Sequence, residues 1–119
     1  MEKQMMTIKQ DAILASAILE TFRRQKEAEI EDISRLLYVL RSSHIDIGEI
    51  DLRRIPGGFY SEDLEILISH SLDSGFVDQK SPLRLNTEGI KFLEEIVEEE
   101  RKNNAEGLKR VEQILGAAL

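Results

Sequence analysis

The chain has 119 residues, enough for one domain with a modest core. Apolar residues make up 41% and charged residues 33%, a balance that excludes a disordered polyelectrolyte. The absence of cysteine excludes disulfides, thiolate metal sites and thiol chemistry, and a net charge of −7 gives no support to general affinity for nucleic acid or anionic membranes.

Aromatic residues are scarce and tryptophan is absent, so the core must rest on Leu, Ile, Val and Ala. The most apolar stretch, residues 12–19, is far shorter than the roughly 20 residues a spanning helix needs. Ala15-Ser16-Ala17 has the form of a signal-peptidase site, but Lys9, Gln10 and Asp11 interrupt the apolar run that a signal peptide would need. A cytoplasmic location is therefore expected.

In chain order, Met5, Ile8, Ala12, Ala15, Leu19 and Phe22 step by threes and fours, the mark of an amphipathic helix with a coiled-coil-like seam. Ile13, Leu14 and Ile18 widen it, so this N-terminal helix, placed within residues 5–28, is expected to bury two faces. Either the chain's own core or a dimer partner could cover the seam. A second helix is predicted over residues 29–42. Ile30, Ile33, Leu37 and Leu40 line one face, and Glu29, Glu31 and Asp32 sit at the positive end of the helix dipole.

Residues 44–60 are irregular. A short strand or a helix of one to two turns would fit, closed by Pro56-Gly57-Gly58. Ser61 then reads as a helix N-cap, with Leu64, Leu67, Ile68 and Leu72 as the apolar face and Gly75 as the stop. Residues 76–79 and 83–86 are strand candidates joined by a turn at Lys80-Ser81-Pro82. Thr87 is read as the next N-cap. From there Ile90, Leu93, Val97, Leu108, Val111, Leu115 and Ala118 fit a heptad frame if Asn104 takes a core position and one stutter follows. One helix of about 45 Å, or two broken near Asn103-Asn104, would satisfy this pattern.

Several runs resemble small prokaryotic winged-helix proteins. Gly57-Gly58-Phe59-Tyr60-Ser61-Glu62-Asp63-Leu64 is similar to the turn before their recognition helix, often a Gly-Pro-Tyr-Ser-type run. Leu72-Asp73-Ser74-Gly75-Phe76-Val77 resembles the exit into the wing. Leu85-Asn86-Thr87-Glu88-Gly89 resembles the step to the last helix, with Asn86 inserted, and Leu36-Leu37-Tyr38-Val39-Leu40 is similar to the first core helix. The resemblance covers about residues 29–97 and points to archaeal-type proteins, with PadR-like regulators as more distant relatives.

That resemblance implies a mainly α fold with a small β-hairpin (α+β): a winged helix-turn-helix core over residues 29–87, with added helices over 5–28 and 88–119 in a single domain. It further implies a dimeric DNA-binding transcriptional regulator, with the helix over residues 61–74 in the major groove and the wing on the backbone. Arg53, Arg54, Lys80 and Arg84 are the expected phosphate contacts, with Tyr60 and Ser61 at the turn. Arg35 and Arg41 on the second helix could extend a basic rim. One departure stands against this: residues 61–74 carry Glu62, Asp63, Glu65 and Asp73 and no Lys or Arg, a formal sum of −4. The alternative is a protein-interaction module whose acidic helix meets a basic partner.

No enzyme, cofactor or metal is expected. His44 and His70 lack metal-ligand spacing. Ser69-His70-Ser71 with Asp73 would lie on one helix, whereas a catalytic triad draws on separate elements. Gly57-Gly58 lacks a Walker lysine, and the glutamates near residues 94–100 form an ordinary solvated run.

Overall fold

A computed structural model describes residues 8–118 of the chain. Among them it is mainly helical with two small antiparallel hairpins, an α+β arrangement. The elements run α1 (Gln10–Phe22), α2 (Ile30–Ser42), β1 (Arg53–Ile55), β2 (Gly58–Tyr60), α3 (Glu62–Asp73), β3 (Val77–Lys80), β4 (Leu83–Leu85), α4 (Thr87–Asn103) and α5 (Ala105–Ala118).

α1 is the spine. Residues Ala12 through Ile18 are all buried, because α4, α5 and α2 of the same chain close around it. The seam read from sequence is thus covered within the chain, Ala12 and Ala15 fully and Leu19 and Phe22 in part. A dimer through that seam would first require α4 or α5 to undock. Met5, the seam's first residue, lies outside the described residues, and the helix ends at Phe22, short of residue 28. The connector after it serves the sheet instead: Ala28 exchanges two backbone hydrogen bonds with Leu83.

α2 begins where the Asp32 carboxylate reaches back to the Glu29 N–H at 3.4 Å, one half of a capping box. It ends with His44 in the left-handed region, φ 67°, where glycine is usual. The Ile45 N–H then bonds Leu40 O and the His44 N–H bonds Arg41 O. Ile45, Ile47 and Ile50 are buried beyond that corner.

The irregular stretch resolves into a hairpin. β1 pairs with β2 in the register Arg53–Tyr60, Arg54–Phe59, Ile55–Gly58. Pro56 and Gly57 (φ +88°) turn it, and only glycine adopts that φ readily. α3 starts on Ser61 and closes with the bonds of a Schellman motif: Phe76 N–H to Ser71 O, and Gly75 N–H to Leu72 O. The second hairpin, β3–β4, carries an irregularity between Val77 and Gln79.

Asn86, not Thr87, caps α4. Its Oδ1 accepts from the Gly89 N–H at 2.8 Å, while its Nδ2 donates to Gly75 O and Asp78 Oδ1. One side chain therefore joins the end of α3, the hairpin and the start of α4. The C-terminal region is two helices, so the single 45 Å helix is not formed. Asn104 leaves helical dihedrals (φ −151°, ψ 67°), and its Oδ1 accepts from the Gly107 N–H, starting α5. Arg101 holds the corner with two bonds to Glu112. Those bonds, then one that Arg101 donates to Glu98, raise its pKa further above the normal guanidinium range.

Candidate binding surface

The two hairpins carry Arg53, Arg54, Tyr60, Lys80 and Arg84, Ser61 stands just before α3, and Arg35 and Arg41 lie on α2. Leu64, Ile68 and Ser71 turn α3 inward. Helical spacing then puts Glu62, Ile66, Ser69 and Asp73 on the outward line. Ile66 is 47% exposed and Leu72 38% exposed. No cation lies on this helix.

Most of the expected phosphate contacts already have partners. Lys80 Nζ lies 2.7 Å from Glu65 Oε2, and Arg84 is hydrogen-bonded to the Glu27 carboxylate. Arg53 faces Asp51 at 3.3 Å and Glu62 at 3.9 Å, with its guanidinium 5.7 Å from the centre of the half-buried Tyr60 ring. Arg54 differs. It is exposed, sits 5.9 Å from the centre of the Phe59 ring, and has no carboxylate partner among the described residues.

Ser61, expected at the turn, faces inward. It is fully buried, its Oγ accepts from the Leu64 N–H at 3.3 Å, and its own N–H donates to Ser34 Oγ at 3.1 Å. It anchors α3 to α2, away from solvent. Ser61→Ala is expected to lower stability by about 1 kcal/mol, the usual loss for a missing cap, in urea denaturation. An unchanged midpoint would show that the cap is not holding the helix.

The sequence reading missed Tyr38. Its ring stacks on Phe59 with centroids 4.3 Å apart and planes at 17°, yet Tyr38 remains 41% exposed. The signal was present: Tyr38 falls off the Ile33–Leu37–Leu40 stripe of α2, a step hidden inside the apolar run Leu36-Leu37-Tyr38-Val39-Leu40. Arg35 and Arg41 lie three residues to either side of it, exposed and without a carboxylate partner among the described residues.

The Ser69-His70-Ser71 run lies on one element, α3. Ser71 is buried and donates to Leu67 O, and His70 lies exposed on the same helix. Among the described residues no group of three or more His, Cys, Asp or Glu could hold a metal ion. No helix there is long and apolar enough to cross a membrane. No protein-family model matches the chain, and no curated protein or solved structure matches it.

Proposed function

We propose that the chain is a non-catalytic protein-interaction module on a winged-helix-like core, with β3–β4 as the wing and the outer face of α3 as its docking surface. The carrying observation is the outward line of α3, which joins exposed Ile66 to Glu62 and Asp73 with no cation among them. Fully buried apolar anchors ringed by polar groups supply most of the energy of protein interfaces. The carboxylates select a basic partner and speed its approach. Major-groove entry by the same helix would bring those carboxylates against phosphates, and Lys80 and Arg84 would have to leave their present partners to compensate.

A photo-crosslinker at position 66 tests this in a native extract. Adducts with proteins bearing basic surfaces are expected, and Leu72→Asp should abolish them. The duplex-binding regulator keeps one supporting observation, Arg54, which has no carboxylate partner among the described residues. Selection from random duplex DNA at low salt decides between the two. Enrichment of a sequence, weakened by Arg54→Ala, Lys80→Ala or Arg84→Ala, would replace the interaction reading.

A further inference from the structure

We infer that a second surface, where α2 meets the β1–β2 hairpin, binds single-stranded nucleic acid. It does not depend on α3 or on the interaction reading. Among the described residues, three guanidinium groups with no carboxylate partner, on Arg35, Arg41 and Arg54, lie around the stacked pair of Tyr38 on Phe59, whose tyrosine is 41% exposed. Glu31, four residues before Arg35, makes no ion pair with it. Elsewhere on the hairpins the cations are matched with carboxylates, so this patch is locally positive on a chain whose net charge is −7.

The chemistry specifies the occupant. Near-parallel rings form a flat platform, and Tyr38 has one side covered by Phe59, so its exposed area lies away from that ring. A nucleobase extends such a stack, and guanidinium groups at the rim meet the phosphates on either side. An acidic peptide would satisfy the arginines but leave the platform bare. Duplex DNA keeps its base faces inside the helix and cannot stack on it. From position 35 to position 41 the helix rises about 9 Å, the span of two to three stacked nucleotides.

Anisotropy of short labelled oligo-dT and oligo-rU, titrated with the full chain at low salt, provides the test, with a duplex of equal length and polyglutamate as comparators. The single strands should bind with a salt slope of about −2, set by three phosphate contacts at about 0.7 each. Arg41→Ala or Arg54→Ala should flatten that slope by about 0.7. Tyr38→Ala should weaken binding by about 10- to 100-fold, the loss of one stacked base. Tyr38→Phe, which keeps the ring, should bind like the wild type. Far-UV circular dichroism should be unchanged in all of them, since the replaced side chains are exposed. The proposal fails if no single strand binds at low salt, if duplex or polyglutamate binds as tightly, or if Tyr38→Ala binds normally. Leu72→Asp should leave this binding intact, which separates it from docking on α3.

Discussion

Gly89→Ala is expected to destabilise the chain by about 3 kcal/mol and to lower Tm by roughly 10 °C. Gly89 lies in the first turn of α4. A Cβ there would sit 2.0 Å from Phe76 O and 2.9 Å from its carbonyl carbon, far inside contact distance. The obstacle is backbone, and it is held in place. The Phe76 N–H bonds Ser71 O, its carbonyl accepts from the Asn86 N–H, and its ring stacks on Phe92 at 4.7 Å. Moving Phe76 away would disturb the end of α3, the base of the β3–β4 hairpin and the α4 cap together. Gly58→Ala is the control. Nothing lies within 4 Å of its added Cβ, so a change under about 0.5 kcal/mol is expected. Denaturation in urea reads both, and equal effects would mean that the α4–hairpin junction is looser than described.

Leu108→Ala should cost about 2–5 kcal/mol, the range for emptying a fully buried leucine site. Leu108 is fully buried with Val111 and Leu115 on the inner face of α5, which packs on α1, α2 and α4. A domain of this size has about 5–15 kcal/mol to lose, so the variant should stand close to unfolding at physiological temperature. The half-buried Ile114 on the same helix should lose much less when shortened to alanine. A similar small loss at both positions would indicate that α5 does not dock on its own chain. Light scattering would then be expected to show subunit exchange through that helix. With α5 docked, the stripe of α1 is unavailable to a second copy.

How far the candidate site was legible depends on the range of the interactions that make it. The four arginines and lysines were visible as residues, yet nothing near Arg84 in sequence points to Glu27, 57 positions away. Ser61 illustrates the opposite case. Its cap was readable, because the hydroxyl serves an N–H only three positions on, but its burial against Ser34 was not. Tyr38 looked like one more core position in an apolar run. Only the hairpin that brings Phe59 beside it turns that ring into a surface feature. Residues 44–60 gave an ambiguous pattern because a three-residue strand offers too few alternations to distinguish it from a helical turn.

By itself the sequence determined the local elements of this protein: the apolar stripes of α2 and α5, the start of α3 at Ser61, its stop at Gly75, and the turn at Pro56 and Gly57. Each rests on side chains and dihedrals within about one or two helical turns, where periodicity, caps and glycine conformations act. Tertiary structure alone decided that α4 and α5 cover the α1 seam, that Lys80 and Arg84 meet carboxylates, and that Arg35, Arg41 and Arg54 meet none among the described residues. Burial and ion pairing depend on where distant segments arrive. That placement is set by the packing of the whole core, not by the order of neighbouring residues.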